Sequence, residues 1–141
     1  MDCELQTAAL VIETLLQLVH QNPSALQPYS LRPADLNRLR ANIEPTFLIR
    51  LYAEFESGLR DAWRTAFGRP THPRMYELLE SVAARQLIPE TWLREAHEVR
   101  EYRNSLVHEA PEGEEQAVEP ITLSEARQRL VRFFSRLPAD W

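Results

Sequence analysis

Apolar residues recur every three or four positions along almost the whole chain, which is the period of a buried helix face. From about Glu4 to His20, Leu5, Ala8, Ile12, Leu15, Leu16 and Val19 form such a face, and Asn22-Pro23 stops it. The stretch from there to Pro33 is proline-rich and reads as a crossing loop. A short helix over about Pro33–Asn42 follows. At Pro45 a new helix starts, or a continuous one kinks. The segment Pro45–Phe67 has the cleanest period, with Leu48, Leu51, Tyr52, Phe55, Leu59, Ala62, Trp63 and Ala66 on one side. Gly58 interrupts that side, and its missing side chain predicts a close approach by another helix, expected to be the one over 89–108.

Residues 68–73 form a turn that includes His72 between two prolines, and a short helix then runs to Ala84. A long helix is predicted over Pro89–His108, about 30 Å in length. Residues 109–120 read as an acidic loop. Thr122 with Glu125 forms a capping box for a last helix that buries Leu123, Ala126, Leu130, Phe133 and Phe134. No stretch alternates with the period of a strand. The expectation is an all-α, up-and-down bundle of about five helices in a single domain over residues 1–141.

Composition narrows the chemistry. The only cysteine, Cys3, excludes an internal disulfide and any site built from several thiolates. His97 and His108 stand about three turns apart, too far to share one metal without further ligands. Gly-rich phosphate loops, H-E-x-x-H, C-x-x-C and the nucleophile elbow are all missing, so no metal or cofactor is expected. The acidic start and the lack of a long apolar run predict neither a signal peptide nor a membrane span, hence a cytoplasmic protein. The formal net charge is −5. Glu109, Glu112, Glu114, Glu115 and Glu119 account for all of it, leaving 16 acids against 16 bases elsewhere. A neutral body lacks the broad basic footprint of a general nucleic-acid binder, so any RNA contact must be local.

The most informative stretch is the end of the 89–108 helix. Arg103 falls four residues after Val99, on the stripe formed by Trp92, Ala96, Val99, Leu106 and Val107. A guanidinium on an apolar stripe is either paired in a buried ion pair, with Glu54 or Glu56 the nearest prospects, or it lines a cavity. His97, Arg100, Glu101, Asn104 and His108 share a neighbouring polar strip. His108 has its own bland explanation as a helix-end residue whose charge suits the dipole.

Arg103-Asn-Ser-Leu-Val-His108 resembles the R-x(4–6)-H signature of the HEPN superfamily, and the order of helices resembles that family over most of the chain. The resemblance implies a small helical bundle that forms homodimers and acts as a metal-independent ribonuclease in toxin–antitoxin, abortive-infection or CRISPR-linked defence. His108 would be the general acid/base, Arg103 the cation on the phosphate, and Asn104 would orient one of them. RNA, such as tRNA, would be cut to a 2′,3′-cyclic phosphate and a 5′-OH at a site shared between two copies. Arg100, Arg50 and Glu54 are weaker candidates for binding substrate. An antitoxin or nucleotidyltransferase partner is implied, although the tyrosine that some members carry two residues after the histidine is replaced here by Ala110. The other reading is a catalytically silent helical module that binds a nucleotide or a partner protein.

Overall fold

A computed structural model describes residues 2–68, 73–108 and 118–138. Among the described residues there are five α-helices, one 3-10 turn and no strand, so the all-α expectation holds. The helices are α1 (Asp2–Gln21), α2 (Pro33–Phe67), α3 (Met75–Gln86), α4 (Glu90–Val107) and α5 (Leu123–Phe134). None of them is long and apolar enough to cross a membrane. The chain divides into two compact units, Met1–Phe47 and Leu48–Trp141.

In the first unit the predicted face of α1 is the buried one. Val19, Leu26 and Leu36 form a small core, with Leu15 and Leu16 packed against it. Glu13 of α1 pairs with Arg40 of α2 at 2.8 Å, but both side chains are about half exposed, so the pair adds little stability. Of the two outcomes open at Pro45, the structure has the continuous one: the helix runs uninterrupted from Pro33 to Phe67. A proline forfeits one backbone bond, to the carbonyl four residues back, while its neighbours keep theirs. Thr46 Oγ1 also donates to the Asn42 carbonyl at 2.7 Å within that same turn.

The second unit is built from the remainder of α2 with α3, α4 and α5. Leu48, Tyr52, Phe55, Leu59 and Ala62 are buried as their spacing predicts, whereas Ala66 is exposed where the helix runs out of neighbours. Phe55 of α2 meets the rings of Phe133 and Phe134 edge-on, with centroids 5.9 and 6.2 Å apart. Gly58 does mark a close approach, but its neighbour belongs to α5: a Cβ there would stand 3.2 Å from the Phe134 ring. The expected partner had been the 89–108 helix. Periodicity shows that a small residue faces inward but not which helix it faces.

The ends of the helices were legible. Pro89 is the residue before α4 and His108 the residue after it. Thr122 and Glu125 exchange both hydrogen bonds of a capping box at the start of α5. Two ion pairs join α4 to α5, Glu98–Arg129 at 2.9 Å and Glu95–Arg132 at 3.0 Å. Arg132 and Arg136 also lie over the Trp92 ring. On the stripe of α4, Ala96 and Val99 are fully buried, whereas Val107 is 45% exposed at the helix end.

Candidate functional site

The C-terminal half of α4 faces a cleft of about 510 Å³, with Tyr52, Glu56 and Arg60 of α2 on one wall. Arg74, Met75 and Tyr76 at the start of α3 form a second wall, and Arg100, Arg103 and Asn104 of α4 complete it. Local sequence explains each wall. Tyr52, Glu56 and Arg60 are spaced by four, so they stack along one side of α2. Arg100, Arg103 and Asn104 likewise fall within one turn of α4.

Arg60 organises the entrance. Its Nε and Nη2 donate to Glu56 Oε1 at 2.9 and 2.7 Å, and its Nη1 donates to the Pro73 carbonyl at 3.0 Å. One guanidinium therefore anchors the backbone that leads into α3 and sets where Arg74 and Tyr76 stand. Spaced as an i,i+4 surface pair, the two side chains are nevertheless each only 31% exposed and wall the cleft.

Arg103 resolves one of the sequence alternatives. No carboxylate pairs with it among the described residues, neither Glu54 nor Glu56. Its Nη1 donates to Asn104 Oδ1 at 3.1 Å and its guanidinium lies 5.8 Å from the centre of the Tyr52 ring. Its Nε is buried and meets no acceptor. Arg100 is similar: its Nη2 reaches the exposed Glu101 at 3.3 Å, its guanidinium lies 5.5 Å from the Tyr76 ring, and its Nε has no acceptor. The Tyr52 side chain is 2% exposed and its hydroxyl is unbonded as well. Burial pushes the ionisation of that phenol well above its ordinary range, and the Glu56 carboxylate pushes it further. Arg100, Arg103 and Arg60 oppose the shift without cancelling it, so the group stays a neutral O–H. A buried donor left without an acceptor costs about 1–3 kcal/mol, and this cleft holds three.

His108 lies one turn beyond Asn104 and its backbone N–H donates to the Asn104 carbonyl at 2.9 Å. Its backbone is extended, with φ −108° and ψ 127°, so it leaves the helical strip that carries Arg100 and Asn104. Its side chain is exposed, has no hydrogen bond or ion pair among the described residues, and is not part of the cleft wall. Arg50 and Glu54 pair with each other at 3.3 Å on the exposed side of α2. Glu54 borders a shallower apolar groove with Leu51, Phe55, Leu130 and Phe134, outside the arginine-lined cleft. The structure thus joins Arg103, Asn104 and Arg100, and leaves His108, Arg50 and Glu54 apart from them.

Six wall residues are not legible in the sequence as site residues: Tyr52, Glu56, Arg60, Arg74, Met75 and Tyr76. The four-residue spacing of Tyr52, Glu56 and Arg60 along α2 was the available signal for three of them. His97 also has a tertiary role that its spacing did not reveal. Its Nε2 lies 3.1 Å from Glu80 Oε1 and its ring rests 4.6 Å from that of Tyr76, tying α3 to α4. No group of three or more His, Cys, Asp or Glu side chains able to hold a metal occurs among the described residues. His72, Ala110 and the acidic stretch over 109–117 lie outside the described residues.

No protein-family model matches this chain, and neither does a curated protein or a solved structure.

Proposed function

We propose that this chain is a metal-independent endoribonuclease of the HEPN type, working as a homodimer in a toxin or defence setting. The observation that supports this reading is Arg103, a half-buried guanidinium with no carboxylate among the described residues and a bond to Asn104 instead. Structural arginines on an apolar stripe are normally paired; one held by a neutral amide keeps its charge for an incoming anion.

In the proposed reaction His108 takes the proton of a ribose 2′-OH, and that oxygen bonds to the adjacent phosphorus. The P–O5′ bond breaks, and the leaving oxygen receives a proton from His108 of a second copy. Arg103 stabilises the charge that builds on the phosphorane, Asn104 holds the guanidinium in place, and Arg100 contacts the phosphate beside it. The products carry a 2′,3′-cyclic phosphate and a 5′-OH. Control by an antitoxin or nucleotidyltransferase partner belongs to the same proposal.

A second reading has its own support. His108 does not line the cleft that holds Arg103 and Asn104, which favours a silent module that binds a nucleotide or partner. Incubating the purified protein with total RNA and tRNA in excess EDTA separates the two. Cutting that Arg103→Ala and His108→Ala both abolish, with folding intact, is the expected result. No cutting by the wild type would leave the binding module.

A further inference from the structure

Three buried donors belong to residues that line one cleft, and none of them meets an acceptor: Tyr52 O–H, Arg100 Nε–H and Arg103 Nε–H. Buried polar groups in folded proteins are almost always paired, so three orphans of one kind in one place call for a ligand. The missing component is a set of acceptors. Its charge follows from the local balance. Glu56 neutralises Arg60, Glu101 leans on Arg100 from the solvent side, and neither Arg74 nor Arg103 has a carboxylate among the described residues. A ligand that satisfies the site is therefore anionic and rich in acceptor oxygens. Phosphate fits both demands, since its oxygens accept from several directions and match the planar guanidinium fork.

We infer that the cleft between α2, α3 and α4 is a seat for a phosphate group, held by the Tyr52 hydroxyl with the guanidiniums of Arg100 and Arg103. Arg74 adds charge at its mouth. The group belongs to free phosphate, to a nucleotide or to an RNA backbone, and the same donors serve all three. The seat shares Arg103 with the proposed nuclease but needs neither His108 nor any cleavage step. Tyr52 acts here as a donor only, since its burial keeps the proton on the oxygen.

Calorimetry on the full chain tests this with inorganic phosphate, adenosine 5′-monophosphate and a short 2′-O-methyl RNA, which lacks the 2′-OH needed for cutting. At least one of them is expected to bind. Tyr52→Phe should weaken that binding about tenfold or more. The same substitution should leave the ligand-free Tm unchanged or raised, because it removes an unsatisfied hydroxyl and keeps the ring. Arg74→Ala should weaken binding less and reduce its salt dependence. Tighter binding of the mononucleotide or of the RNA assigns the phosphate to that source, and equal binding assigns it to the free ion. Failure of all three ligands at millimolar concentration overturns the inference. Equal affinity for wild type and Tyr52→Phe does so too, as does a ligand-free Tm that falls by several degrees in that variant. Phosphate binding without RNA cutting leaves the seat standing and removes the nuclease.

Discussion

Arg103 donates to the side chain of its own neighbour, Asn104, at 3.1 Å, in a cleft where a carboxylate from α2 was the alternative. A guanidinium that breaks no ion pair on removal can be deleted with little loss of stability. Arg103→Ala should change the unfolding free energy by no more than about 1 kcal/mol, chiefly the lost contact over Tyr52. Under the nuclease reading, the same change should lower RNA cleavage roughly 100- to 1,000-fold. Arg103→Lys should not restore it, because the fork geometry is lost with the guanidinium. Paired denaturation and cleavage assays check this. A loss of 3 kcal/mol or more would point to a purely structural arginine.

The contact between Gly58 and Phe134 sets the sign of a second substitution. Alanine is favoured over glycine within a helix by about 1 kcal/mol. The added Cβ would sit 3.2 Å from a ring that is 39% exposed and free to yield by a few tenths of an ångström. Gly58→Ala should therefore be neutral or stabilising, by up to about 1 kcal/mol. Gly58→Leu should destabilise by about 1–3 kcal/mol, because a branched chain cannot share the space. Urea unfolding of the two variants distinguishes these outcomes.

Leu87 ends α3 in the left-handed region at φ 49°, a conformation that suits glycine far better than a branched side chain. Its side chain is 86% exposed, so almost no burial is forfeited on removing it. Leu87→Gly should raise stability by roughly 0.5–1 kcal/mol. A lower Tm would mean that Leu87 makes a contact in solution that outweighs its backbone strain.

The capping box at α5 predicts a pH dependence. The Thr122 hydroxyl, and after it the Thr122 backbone N–H, hold the Glu125 carboxyl below its ordinary value. A carboxyl that is depressed in the folded state adds stability above its unfolded pKa, and that stability is lost as pH falls through the folded value. Glu125→Gln keeps a side chain able to close the box but removes the titration. The advantage of wild type over Glu125→Gln should be present at pH 7 and shrink steadily below about pH 4.5. An advantage that persists unchanged at pH 3 would exclude the carboxylate as its source.

The sequence by itself determined the fold class and the limits of the helices. Apolar residues at steps of three or four marked the buried face of α1, and Pro89 and Thr122 with Glu125 marked where α4 and α5 begin, since these signals act within a few residues of themselves. Pro45 left a helix start and a continuous helix equally open, because a helix supported on both sides of a proline survives one missing bond. Arg103 and Asn104 were also legible, lying side by side on one turn. The rest was decided by tertiary structure alone. Tyr52 reads as one more core residue until α4 brings Arg100 and Arg103 to its hydroxyl end, and Arg60 reads as a surface ion pair until Pro73 comes within 3.0 Å. His108 continues the polar strip of α4 on paper, yet the helix ends one residue before it. Periodicity states which face of a helix is buried, but the rotation and register of one helix against another depend on how side chains from distant segments interlock. Those are the quantities that bring four arginines, two tyrosines and an asparagine around one cleft.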